Sequence, residues 1–276
     1  MDLLQAMKER HSVRSYDEKS IEAGTVEKLR SFIKECNKES GLHMQLVLDE
    51  PHAFEGFMAH YGKFSGVRNY IALIGRKGND LEEKCGYYGE KVVLYAQTLG
   101  LNTCWVGLTY SKVKSAFQID PGEKLCLVIA IGYGQTQGVS HNSKPREKVM
   151  NTEAAPQDWF LRGVDAALLA PTAMNQQKFT FTCKGNQVLA KAGLGFYSKT
   201  DLGIVKYHFE LGAGKENFQG KDRNFLISLQ LPSFSALHLL TGRYILKLFS
   251  QLLSFYLLCL YPNIHFADNM PFAPVL

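Results

Sequence analysis

From Leu125 to Ile131 the chain reads Leu-Cys-Leu-Val-Ile-Ala-Ile, with no polar side chain. A strand with one wet face alternates apolar and polar positions, whereas an unbroken apolar run is covered on both sides. This stretch therefore demands a central strand between two packed layers, and Gly132-Tyr133-Gly134 ends it. At 276 residues, with 46% hydrophobic and 21% charged residues, the chain has ample material for those layers in one large domain or two small ones.

The layers are legible as helices. Leu3, Leu4 and Met7 recur at helical spacing, as do Val26, Leu29, Ile33 and Cys36 before a stop at Gly41. The best helix spans about Leu81 to Leu99, with Cys85, Tyr88, Val92, Tyr95, Ala96 and Leu99 on one face and Gly100 at its end. Gly86 and Gly89 lie inside it, each costing roughly 1 kcal/mol against alanine. They predict the close approach of another helix or, as the alternative, of a flat ligand. Leu46-Val47-Leu48 and Tyr70 to Ile74 read as strands, Phe54 to Phe64 as loop or short helix, and Ser111 to Phe117 as a short helix. Further on, Gln157 to Leu169 predicts a helix stopped by Pro171, and Phe179 to Cys183 alternates like a half-buried strand. A last helix carries Leu202, Val205 and Phe209, with Thr200 or Asp201 as its cap.

A basic cluster, Arg10-His11-Ser12-Val13-Arg14, falls where the first helix runs out. A helix C-terminus repels anions. If the cluster holds one, the guanidinium groups and the Ser12 hydroxyl must do it, because two arginines four residues apart can surround a phosphate. The other reading is a solvated helix end. A second pair of cations, Lys144 and Arg146, flanks Pro145 in a polar loop.

Net charge is +5 with no block of like charges, so nucleic acid is not an expected partner. The six cysteines show neither a CxxC pair nor metal-ligand spacing, and no metal is expected. Cys85, Cys104 and Cys126 read as packed thiols of a reducing compartment, hence a cytoplasmic location. Nothing in the first residues resembles a secretory signal. From about Lys221 the composition changes: Asp268 is the only acidic residue between Asn224 and Leu276, and Ile245 to Tyr261 is largely apolar. A membrane span needs about 20 apolar residues, which this run does not reach. The tail is expected to be unrelated to the fold, as altered-frame or read-through sequence, with a membrane anchor as the alternative.

Four segments together resemble the flavin-dependent nitroreductase family. Arg10 to Tyr16 is similar to its Arg-x-Ser-x-(Arg/Lys)-x-aromatic motif. Gly100-Leu101-Asn102-Thr103-Cys104-Trp105-Val106-Gly107 resembles its Gly-Leu-Gly-(Ser/Thr)-Cys-Trp-x-Gly segment. Ala170-Pro171-Thr172-Ala173-Met174-Asn175-Gln176-Gln177 resembles its Ala-Pro-Ser-x-x-Asn-x-Gln-Pro-Trp motif, with Lys178-Phe179 in place of Pro-Trp. Lys144-Pro145-Arg146 matches the basic residues after the last core strand. The resemblance covers about residues 1–218. It implies an α+β fold with a mostly antiparallel central sheet flanked by helices, FMN as cofactor, and NADH or NADPH as electron donor. Arg10, Ser12 and Arg14, with Lys144 and Arg146, would hold the phosphate and the polar side of the ring system. Backbone N–H groups at Val106 and Gly107 would face flavin N5, and Thr172, Ala173, Met174 and Asn175 would line the other side of the ring. His11, Trp105 and Pro171 complete the expected cofactor set, and no catalytic acid or base is identified.

The motif order is unusual. In typical members the Pro-Ser-x-x-Asn turn follows the second helix and reaches the flavin of a partner subunit. Here that position reads Glu35-Cys36-Asn37-Lys38-Glu39-Ser40, and the turn lies in the second part. The resemblance thus implies an internal pseudo-dimer: residues 1–150 as one half, 151–220 as a reduced second half, and 221–276 as the tail. A monomer with one flavin per chain is expected, passing two electrons to a small-molecule acceptor such as a nitroaromatic or quinone. A flavin-binding store or sensor without turnover is the alternative.

Overall fold

The computed structural model describes residues 1–152 and 155–218, and the expectations for the apolar tail from 221 lie outside the described residues. The chain begins with α1 (Leu3–Glu9), where the Asp2 carboxylate accepts the Gln5 N–H at 2.8 Å and Arg10 forms the C-cap. Helix α2 (Ala23–Ser40) ends at Gly41, whose φ of 73° supplies the left-handed stop that the sequence predicts. Then follow β1 (Gln45–Val47), α3 (Phe57–Tyr61), β2 (Tyr70–Arg76), α4 (Leu81–Thr98), β3 (Asn102–Val106) and β4 (Glu123–Gly132). The remaining elements are β5 (Met150–Thr152), α5 (Asp158–Leu168), β6 (Phe179–Lys184), β7 (Gln187–Ala192) and α6 (Ser198–Ala213). Among the described residues no helix is long and apolar enough to cross a membrane.

Strands β1–β4 form an antiparallel sheet in the order β1-β2-β4-β3. The apolar run of β4 is central, as expected. Its residues alternate between two cores: Leu127, Ile129 and Ile131 face α2 and α4, while Val128 and Ala130 pack with Val13, Tyr16, Phe54 and Phe64. Strand β2 divides likewise, with Ile71 and Leu73 on the helical side. A second sheet, β5-β6-β7, pairs β5 parallel and β7 antiparallel to β6. It is covered by α5 and α6, where Phe181 stacks on Phe209 with ring centroids 4.4 Å apart.

Helix α6 joins the two parts by packing on α4. A Cβ on Gly86 would lie 2.0 Å from the Thr200 carbonyl oxygen, and one on Gly203 would lie 2.0 Å from that of Glu83. The two backbones touch, which accounts for Gly86 inside a helix. Gly89 instead makes room for the Trp105 ring, 2.5 Å from its absent Cβ.

Two expectations are corrected. Residues 111–117 are not helical: the Ser111 N–H goes to the Ala53 carbonyl, and Gln118 pairs with the Gln45 side chain through its own N–H and carbonyl. Val113, Ala116 and Phe117 still pack on the core, but from a loop. Helix α6 starts before Thr200 and Asp201, and its N-cap Tyr197 adopts φ 54° with no side-chain cap bond.

Candidate functional site

Beside the end of β3 lies a cavity of about 340 Å³. One wall comes from the first part of the chain: Ser12, Arg14 and Cys104 to Leu108. The facing wall comes from the second: Pro171 to Met174, Phe196, Tyr197 and the start of α6. Ser12 is placed by a parallel bridge to Thr103 of β3, and the Val13 N–H bonds the Thr103 carbonyl at 3.1 Å. The basic segment therefore runs beside β3 toward the cavity. Arg14 is exposed, lies 5.9 Å over the Phe64 ring, and makes no ion pair among the described residues. At the strand end Gly107 has no side chain, and the Tyr197 ring occupies that space, 2.5 Å from where a Cβ would sit.

The turn 172–177 is strained and tightly held. Met174 and Asn175 have φ 51° and Gln177 φ 44°, although none is glycine. Left-handed backbone of this kind costs on the order of 1–3 kcal/mol per residue and persists only where surrounding bonds over-determine it. Here they do. The Lys144 ammonium donates to the carbonyls of Gln176 (2.7 Å) and Gln177 (3.0 Å), and the Gln177 N–H donates to the Thr172 hydroxyl at 3.0 Å. The side-chain amides of Asn175 and Gln177 both donate to the Asn142 carbonyl. From α6, the Asp201 carboxylate accepts the Ala173 N–H at 3.0 Å and the Gln176 amide at 2.7 Å.

Of the residues expected at a cofactor, Ser12, Arg14, Trp105, Val106, Gly107, Pro171, Thr172, Ala173 and Met174 meet on this cavity. Five are placed elsewhere. Arg10 is 3% exposed, with Nε 3.8 Å from the Glu90 carboxylate and with Nε and Nη1 lacking hydrogen bonds. Burial lowers its pKa while Glu90 opposes the shift. Its phosphate role is corrected to that of a buried counter-charge. His11 faces the Ser140 hydroxyl at 3.1 Å. Lys144 is spent on the carbonyls of the turn, and Arg146 on a bidentate pair with Asp165 of α5. Asn175 braces the turn and does not line the cavity.

Beneath Trp105 lies a buried polar network. Glu90, fully buried on α4, accepts the Trp105 indole N–H and meets His208 Nε2 of α6, each at 2.8 Å. The other ring nitrogen, Nδ1, is 3.1 Å from the Ala166 carbonyl. A carbonyl only accepts, so Nδ1 carries a hydrogen, and a single proton occupies the Nε2–Oε1 contact.

Asp201, Phe196 and Tyr197 also line the cavity, although the sequence did not mark them as site residues. Asp201 looked like a helix cap, and the aromatic pair follows Gly193-Leu194-Gly195, a turn signal whose placement only the fold reveals. A second polar cluster, His43, Asp120 and Glu123, is not a set of converging lone pairs. Gln45 is fixed by the Gln118 backbone and donates to His43 Nε2, so Nδ1 carries the hydrogen that Glu123 accepts at 2.9 Å.

The family described as "Putative TM nitroreductase" matches residues 2–213. A solved Thermotoga maritima structure described as a "putative nitroreductase" is 22% identical, with 78% of this chain and 85% of that one covered and a TM-score of 0.56. At that identity the likeness concerns the fold. A nitroreductase family protein from Streptococcus pneumoniae is 14% identical over 54% of this chain and 99% of that one, TM-score 0.44. An FMN-dependent nitroreductase from Clostridium difficile is 17% identical over 50% and 91%, TM-score 0.40. No curated protein matches the chain. With a family match running from the first helix to the last described one, the chain belongs to the nitroreductase family of that description.

Proposed function

We propose that the chain binds one FMN and passes two electrons from NADH or NADPH to a small acceptor such as a nitroaromatic or quinone. The observation that carries this reading is the meeting of Ser12 and Arg14 with the 171–174 turn on a single cavity. Its volume falls in the range of small-molecule sites, about 300–1,000 Å³. The donor set fits the cofactor: a flat ring suits the apolar surfaces of Val106, Leu108, Pro171, Ala173 and Met174. A phosphate suits an arginine that has no carboxylate partner among the described residues. FMN, when bound, supplies the electron-carrying chemistry. The chain's own residues hold its anionic end, flank the ring and exclude water.

Both walls come from one chain, which supports a pseudo-dimeric site with one flavin per monomer. Purified protein should show flavin absorbance, bleach with NADH or NADPH, and recover when a nitroaromatic or quinone is added. Bound flavin that no nicotinamide bleaches would remove turnover from the reading. Arg14→Ala should weaken FMN but leave riboflavin nearly unchanged. A hydrogen bond to a charged group contributes about 1.5–3 kcal/mol, so the FMN loss should be roughly tenfold or more. Equal weakening of both ligands in fluorescence titrations would exclude a phosphate contact.

A further inference from the structure

Among the described residues Asp201 is the only carboxyl that lines the cavity. It sits in the first turn of α6, 4% exposed. Oδ1 accepts the Ala173 N–H at 3.0 Å, and Oδ2 accepts the Gln176 amide at 2.7 Å while sharing the Ala173 N–H at 3.2 Å. Among the described residues every group bonded to this carboxyl is a donor. A carboxylate has about four lone-pair sites, so Oδ1 keeps one unused on a residue that lines the cavity. A proton placed there finds no bonded acceptor among the described residues. We propose that Asp201 is a ligand-binding acid, whose neutral form donates a hydrogen bond to an oxygen or nitrogen of the planar ring in the cavity. The proposal rests on the flavin and electron-acceptor reading of that cavity, because flavin carbonyls and nitro or quinone oxygens share the required chemistry.

Burial pushes the Asp201 carboxyl up to about 6, against the opposing pull of Gln176 and the Ala173 N–H. Among the described residues no other charge engages it. Arg14, Cys104 and Tyr197 share the cavity but make no bond to its oxygens, and burial raises both Cys104 and Tyr197, keeping them neutral near pH 7. Across the α4 contact Glu83 pairs with Lys206, further along α6 His208 is held by Glu90, and Lys144 bonds the carbonyls of the turn. The neutral form of Asp201 grows as pH falls through about 6, so a ligand that needs its hydrogen binds more tightly on the acid side.

The test uses the full chain and two probes between pH 5 and 8: riboflavin by fluorescence quenching, and 4-nitrobenzyl alcohol by calorimetry. One of the two should tighten on the order of tenfold or more as pH falls, and which one it is identifies the ring that Asp201 meets. At pH 7.5 that binding should take up a measurable fraction of a proton, read from calorimetry in buffers of different ionisation enthalpy. Asp201→Asn, neutral throughout, should bind with a flat profile. Flat profiles for both probes in the unaltered chain, without proton uptake, would overturn the proposal, as would a slope retained in Asp201→Asn. Proton uptake is read without any variant, so a variant that fails to fold does not leave the question open. If riboflavin fails to bind, the flavin reading falls while the nitroaromatic still decides the role of Asp201. If neither probe binds, both fall.

Discussion

Glu90→Ala is expected to destabilise the folded chain by about 3–5 kcal/mol, the usual cost of breaking a buried charge pair from one side. The carboxylate is fully buried and serves three partners at once: the Trp105 indole at 2.8 Å, His208 at 2.8 Å and the Arg10 guanidinium at 3.8 Å. Alanine would leave Arg10, already short of hydrogen bonds at Nε and Nη1, with no counter-charge in a site closed to water. It would also orphan the indole N–H of a cavity-lining residue. Removing Arg10 or His208 together with Glu90 should cost less than the sum of the single losses, because neighbours in one network are not additive. Urea unfolding of the single and double variants at pH 7 measures this. A loss below about 1 kcal/mol for Glu90→Ala would mean that water reaches the network.

Gly203→Val should have a comparable effect for a different reason. The Cβ would stand 2.0 Å from the Glu83 carbonyl oxygen and 2.6 Å from the Tyr87 nitrogen, both backbone atoms that cannot turn aside. Helices α4 and α6 would have to separate. Overpacking a core costs typically 1–3 kcal/mol and sometimes more, and a backbone-to-backbone contact belongs at the upper end, about 3 kcal/mol. Both helices also place cavity groups, Trp105 through Glu90 on α4 and Asp201 on α6, so flavin affinity should fall with stability. An unchanged thermal midpoint would show that the two helices do not touch in solution.

Much of this architecture was legible in local pattern. The apolar run of β4 called for a two-sided core and received one, and Gly86 announced the helix that packs against it. Strands β5 and β7 left no comparable signal: β5 has only three residues, and β7 is largely solvent-facing and so lacks clean alternation. The segment 111–117 misled because Val113, Ala116 and Phe117 have helical spacing, yet bonds to Ala53 and Gln45 tie down its two ends and leave a turn between them, with the Ala116 N–H on the Val113 carbonyl at 3.2 Å. In the site, backbone-placed residues could be read from the motifs, since Ser12 and Gly107 are fixed by a short stretch of chain. The partners of cations could not. Whether Arg10 meets a phosphate or Glu90, and Arg146 a cofactor or Asp165, depends on acids more than a dozen residues away in sequence.

The central claim, that one chain builds one flavin site from both of its parts, is tested most directly by FMN titration with variants mixed. Chains carrying Arg14→Ala impair the first wall, and chains carrying Ala173→Trp fill the cavity from the second. The account predicts one FMN per unaltered chain, and no more binding in the mixture than in the two variants measured apart. Recovery on mixing of sites with unaltered affinity, up to one FMN per two chains, would place the two walls on different subunits and contradict the account.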